Sequence, residues 1–167
     1  MMEASMEFSS NKKEMYEEAA LMLRGLLEDC PYKIAALANA SALLNQAMGE
    51  INWVGFYLVE EKGTSDLLVL GPFQGKPACV EINIGKGVCG TAWERDEVML
   101  VKDVHAFPGH IACDGASRSE IVLPIHAEGK VVGVLDIDSP ILARFDEEDK
   151  EGLLKVVKVI EEMVYRV

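Results

Sequence analysis

Apolar residues recur at helical spacing from about Lys12 to Glu28: Met15, Ala19, Met22, Leu23, Leu26 and Leu27 fall on one side, with Lys12, Glu14, Glu17 and Glu18 among the exposed positions. Pro31 suits the first turn of a helix and not its interior. A second helix is therefore expected from about Tyr32 to Met48, carrying Ile34, Leu37, Ala38, Leu44 and Ala47, with Gly49 as its stop. From Ile51 to Val59 the pattern changes to aromatic and β-branched strand residues, and Glu61-Lys62-Gly63 turns the chain toward Leu67–Leu70. Pro72, Gly75 and Pro77 mark a loop. Cys79–Ile84 reads as a third strand, about Cys89 to Arg95 as a short helix, and Val98–Val101 as a fourth strand.

A connection from Lys102 to Ser117 follows, of a length that is usually functional or disordered in a compact domain. It leads into two apolar strands, and Asp146 is placed to cap a last helix from about Glu147 to Tyr165 with Leu153, Leu154, Val157, Ile160 and Val164 at helical spacing. This order describes an α+β domain: an antiparallel sheet of about six strands with helices packed on a face. At 167 residues and 50% hydrophobic content the chain is expected to be a single domain, 1–167, in which residues 1–11 form a flexible N-terminal extension.

The two apolar strands carry unusual polar residues. Joined by a three-residue loop at Ala127-Glu128-Gly129, they pair His126 with Lys130 and set Ile121, Leu123 and Ile125 opposite Leu135, Gly133 and Val131. That register puts Glu120 directly across from Asp136, and strand alternation places Asp138 on the same face. A two-residue Glu128-Gly129 turn is disfavoured because it shifts the register by one and mixes the apolar faces. Like charges facing one another destabilise a sheet, so either the acids merely end two strands in solvent or they have a task.

Charge and composition narrow that task. The net charge of −12, with no cluster of Lys or Arg, argues against nucleic acid and against an anionic membrane surface. The N-terminal residues lack the basic and apolar regions of a secretory signal, and no apolar run approaches the ~20 residues needed to cross a bilayer, so a cytoplasmic location is expected. In a reducing compartment the four cysteines Cys30, Cys79, Cys89 and Cys113 suggest catalysis, metal binding or burial rather than structural disulfides. Cys113 lies in the long connection, four residues before its end at Ser117. Cys79, Cys89, Cys113, His105 and His110 are metal-binding types, but no closely spaced pair links them, and no metal is expected.

Gly85-Lys-Gly-Val-Cys-Gly90 fits G-x-G-x-x-G between a strand and a helix, yet the flanking strands read as antiparallel and no acid ends a second parallel strand. The glycines instead suit a tight turn that brings Cys89 close to another backbone. Trp53 and Tyr57 share a strand face with Gly55. They are ordinary strand aromatics or a wall for a small apolar or sulfur-bearing ligand.

Asn52-Trp-Val-Gly-Phe-Tyr57, Leu70-Gly-Pro-Phe-Gln-Gly75, Gly85-Lys-Gly-Val-Cys-Gly-Thr91, Val101-Lys-Asp-Val-His-Ala-Phe-Pro-Gly-His110, Ile111-Ala-Cys-Asp114, Ser119-Glu120 and Gly133-Val-Leu-Asp-Ile-Asp138 together resemble the free methionine-R-sulfoxide reductases, which are built on a GAF domain. The resemblance implies reduction of free methionine (R)-sulfoxide to methionine with no cofactor. It implies Cys113 as nucleophile, Cys79 as the main resolving cysteine and Cys89 as an auxiliary one. Glu120, Asp136 and Asp138 become the substrate-binding and proton-supplying acids, and Trp53 and Tyr57 line the pocket. It also implies recycling of an intramolecular disulfide by thioredoxin, while the amphipathic terminal helices are able to pair in a homodimer. Cys30 receives no role. The competing class is a non-catalytic GAF module that senses a small molecule.

Overall fold

The computed structural model describes residues 6–110 and 114–166. Helices α1 (Lys12–Leu27) and α2 (Lys33–Ala47) precede strands β1 (Trp53–Lys62), β2 (Ser65–Gly75) and β3 (Glu81–Ile82). Helix α3 (Gly87–Arg95), strand β4 (Met99–Val101), a 3-10 turn at Val104–Ala106, strands β5 (Ser119–Ala127) and β6 (Lys130–Ser139) and helix α4 (Glu147–Val164) complete the order. Among the described residues the strands form one antiparallel sheet ordered β3-β2-β1-β6-β5-β4. The expected α+β architecture is present.

Alternation along the strands divides the molecule into two layers. Val54, Phe56, Ile121, Leu123, Ile125, Leu135 and Ile137 face α1, α2 and α4 and make the larger core. Trp53, Tyr57, Leu68, Val122 and Val134 face the other way, under α3 and the loops. The helical faces differ in places from the spacing argument. Ile34 is 74% exposed whereas Ala36, Ala40 and Leu43 are buried, because α2 turns its small residues toward the sheet. Leu26 and Leu154 are exposed as well, and Tyr16, which carries a polar group, is fully buried.

Strand β2 runs straight through the expected loop at Pro72. Gly55 pairs with Phe73 and Tyr57 with Leu70, so Phe56 alone spans Gly71 and Pro72; this bulge accommodates a residue that has no N–H to give the ladder. Pro124 sits inside β5 for a related reason: β4 pairs only with Glu120–Val122, which leaves that edge of β5 open at the proline. The third strand is far shorter than Cys79–Ile84, comprising only Glu81–Ile82.

The β5–β6 register corrects the sequence expectation. Glu128 (φ 53°) and Gly129 (φ 75°) form a two-residue turn, which both positive φ angles favour, and Ala127 pairs with Lys130. A second irregularity then moves the pairing from His126↔Val131 to Ile125↔Gly133. The two one-residue shifts restore the parity that the rejected turn alone breaks. Leu123 therefore faces Leu135, Ile121 faces Ile137, and Glu120 lies opposite Asp138 rather than Asp136. Asp136 faces Val122. All three acids still share one face, since each is an even number of positions from the others along or across the strands.

Candidate functional site

The acids emerge on the face covered by α3. Across the sheet, Trp53 lies opposite Asp138 and Asp138 opposite Glu120; in the adjacent row Gly55 lies opposite Asp136. Gly55 thus places no side chain beside Asp136, and none would fit, because a Cβ there would come within 2.3 Å of the Phe73 Cβ. Trp53 stacks between Tyr57 (centroids 6.0 Å, 24°) and Phe73 (5.2 Å, 16°). Both polar handles of the first pair are used: the Trp53 indole N–H donates to the Lys76 carbonyl (3.1 Å) and the Tyr57 hydroxyl to the Cys79 carbonyl (2.9 Å). Two strand aromatics therefore fasten the loop that carries Cys79.

Helix α3 supplies the roof. Gly85 and Gly87 take positive φ, and a side chain at Gly90 would strike the Asn83 carbonyl at 2.5 Å. The glycine-rich segment is thus the tight turn its composition suggested; it leads into α3, where Cys89 is buried, and the antiparallel sheet excludes the dinucleotide reading. Cys89 Sγ lies 4.0 Å from Glu120 Oε1. One cavity is bounded by Trp53, Tyr57, Cys89, Glu120, Asp136 and Asp138, with His110, Asp114 and Ser117 also on its wall.

Burial and the mutual repulsion of the acids govern the electrostatics. Burial, and then Asp136 and Asp138, push the Glu120 carboxyl well above the usual carboxylate range. Asp138 is raised strongly by burial, by Asp136 and by Asp114. Asp136 is raised by burial, opposed by hydrogen bonds from Glu120 and Cys89. The cluster therefore retains protons near neutrality, with Asp136 the best placed to carry charge. The Cys89 thiol is also raised well above its ordinary value by burial and the neighbouring acids, so it is a poor thiolate. Tyr57 is pushed upward by burial and by Asp136 and stays a phenol.

Asn52 joins the acids to the long connection. Its backbone N–H donates to the Asp138 carbonyl (2.9 Å), and its side-chain amide donates to Asp114 Oδ2 and Ser117 Oγ, both at 3.0 Å. Asp114 also accepts from the Ala116 N–H, and these donors hold its carboxyl below the ordinary value. Cys113, its immediate neighbour, lies outside the described residues. Cys79 takes part in a disulfide, whereas Cys30 and Cys89 are free thiols.

Of the residues singled out in the sequence, Trp53, Tyr57, Cys89, Glu120, Asp136 and Asp138 meet at one cavity, while Cys30 lies far along the chain at the end of α1. Phe73, Asp114, Ser117 and His110 were given no role there. Phe73 was hidden by the proline-marked loop, and the other three reach the cavity only through the fold of the long connection. The Asp114-x-x-Ser117 spacing, a common turn signal, was the available clue.

The chain matches the GAF domain family over residues 34–162. It is 53% identical over 153 residues to Protein YtsP of Bacillus subtilis (strain 168), covering 92% of this chain and 93% of that protein. It is 50% identical over 154 residues to the free methionine-R-sulfoxide reductase of Escherichia coli (strain K12), covering 92% and 91%. The crystal structure of free methionine-R-sulfoxide reductase from Neisseria meningitidis in complex with its substrate superposes with a TM-score of 0.89 at 44% identity, over 97% of this chain and 95% of that one.

Proposed function

Since this chain belongs to the GAF-domain family and to the free methionine-R-sulfoxide reductases within it, we propose that its acid-walled cavity binds free methionine (R)-sulfoxide and that Cys113 reduces it to methionine. The observation that carries the reading is the convergence of Glu120, Asp136 and Asp138 with Trp53 and Tyr57 on one buried cavity. A buried acid cluster of this kind serves both ends of the substrate. Its residual charge attracts the ammonium group of a free amino acid, and its retained protons serve the sulfoxide oxygen. The aromatic wall suits a thioether-like side chain.

In the proposed sequence the Cys113 sulfur attacks the sulfoxide sulfur while a cluster carboxyl, best Glu120, protonates the oxygen. The oxygen passes to Cys113 as a sulfenic acid, methionine leaves, and the lost proton is regained from the thiol. The Cys79 thiol then condenses with the sulfenic acid, releasing water and forming a disulfide. Exchange with an external dithiol, for which thioredoxin is the proposed donor, returns both thiols. Participation of Cys79 in a disulfide, while Cys30 and Cys89 are free, supports Cys79 as the resolving residue and leaves Cys89 as an auxiliary.

The test measures turnover on the separated R and S epimers of free methionine sulfoxide. Selective use of the R epimer, abolished by Cys113→Ser, is expected, with two thiols lost per chain when no dithiol is present. Full turnover by Cys113→Ser, or equal use of both epimers, overturns the reading.

A further inference from the structure

The acid cavity holds a second set of donors besides those required for a sulfoxide. Cys89 Sγ and one oxygen each from Glu120 and Asp136 all lie within 4.8 Å of one another, and all three residues are buried. Asp136 is only 6% exposed, lines this same cavity, and leaves Oδ1 buried with no hydrogen-bond donor among the described residues. Buried carboxylate oxygens normally have partners. No Lys or Arg approaches Glu120 or Asp136 within ion-pair distance among the described residues. The site therefore presents a converging sulfur and two oxygens, with no Lys or Arg paired to either acid among the described residues.

We propose that Cys89, Glu120 and Asp136 form a binding site for a zinc-class divalent cation that shuts the cavity to substrate. A thiolate and two carboxylates are the donor types zinc accepts, and three protein ligands with one open position is a common zinc arrangement. Bonds of about 2.0–2.3 Å place tetrahedral ligands roughly 3.3–3.6 Å apart, so the three atoms must close by little more than about 1 Å. On binding, the ion displaces the thiol and carboxyl protons and leaves one negative charge on the ligand set. The metal site rests on this geometry alone. Its consequence rests on the function proposed above: Glu120 loses the proton it would give the sulfoxide, and the Asp136 carboxylate that would meet the ammonium group is engaged by the ion.

Binding is tested on protein reduced with a phosphine, by equilibrium dialysis against Zn²⁺ and by Co²⁺ substitution. One equivalent of Zn²⁺ and a thiolate-to-cobalt absorption band in the near ultraviolet are expected. Cys89→Ser should remove the band, and Glu120→Gln should weaken zinc binding by about tenfold or more, while Cys30→Ser and Cys113→Ser keep the band. No zinc uptake, or a band that follows Cys113 or Cys30 instead of Cys89, overturns the site. In single turnover followed by thiol loss, Zn²⁺ should raise the concentration of methionine (R)-sulfoxide needed for half-maximal rate. Zinc that binds without this effect overturns the blocking role. A zinc-free protein that consumes no sulfoxide refutes the reductase reading and leaves the metal result standing.

Discussion

Glu120 concentrates two opposed demands in one side chain. Burial and the neighbouring Asp136 and Asp138 raise its carboxyl well above the ordinary value, so the folded state holds a proton that the unfolded chain releases. The associated stability is complete below the unfolded value and is lost as pH rises toward the folded one. With Glu120 as the proposed proton donor, Glu120→Gln should lower kcat/KM by about 10²–10⁴, yet by the linkage it should melt at a higher temperature than the parent at pH 8 and at nearly the same temperature at pH 4. Parallel thermal melts at the two pH values check this; equal destabilisation at both would assign Glu120 a structural role. Gly55→Ala addresses the neighbouring row. Its Cβ would meet Phe73 at 2.3 Å, so a loss of about 1–3 kcal/mol in urea denaturation is expected, with a changed near-ultraviolet dichroism from the displaced Phe73–Trp53 stack. The acids were legible in the sequence because two lie two positions apart and the third sits across a local hairpin. Phe73, Asp114 and His110 were not, since their approach depends on a bulge and on the course of a long connection that no local spacing encodes.

At the scale of elements, the terminal helices are joined through one buried carboxylate. Asp149 is fully buried; it accepts from the Tyr16 hydroxyl (2.7 Å) and from Lys12 (2.8 Å), lies 3.3 Å from an Arg144 nitrogen, and completes a capping box with Asp146. Asp149→Ala leaves those donors without their partner, and a loss of about 3–5 kcal/mol is expected in chemical denaturation. Gly152 lies beside the same tyrosine: a Cβ there would fall 2.2 Å from the Tyr16 ring, so Gly152→Ala should also loosen α1 from α4. The sequence identified Asp146 as the cap and the helices to within a residue or two, because capping and periodicity are local. It did not identify Tyr16 as a core residue, for the hydroxyl finds its acceptor 133 positions away. The hairpin illustrates the same limit. Parity was readable from the apolar faces, but the facing partner of Glu120 was decided by a turn and a bulge acting together.

For the molecule as a whole, the titrating groups act in two windows. The acid cluster and His126 both have raised values; for His126, burial opposes the rise and hydrogen bonds to Asp96 and Glu161 produce it. Their contributions are present at low pH and are lost as pH climbs, for His126 through the region above 6.5. Asp146, held down to about 2 mainly by Lys12, works in the opposite sense: its contribution is present above its unfolded value of 3.8 and is lost as pH falls through about 2. Stability measured by thermal melts should peak on the mildly acidic side and decline toward pH 9. His126→Gln should flatten the part of that decline between about pH 6 and 8. A profile rising steadily from pH 5 to pH 9 would contradict this account.

The hydrogen bonds from Trp53 and Tyr57 to the carbonyls of Lys76 and Cys79 make the wall of the cavity and the tether of a disulfide-forming residue one mechanical unit. In the proposed cycle, replacing either aromatic to reshape the wall would therefore also alter the setting in which Cys79 returns to its thiol. Under that proposal, a variant selected for a new sulfoxide would show part of its defect in re-reduction, a step that never touches the new ligand.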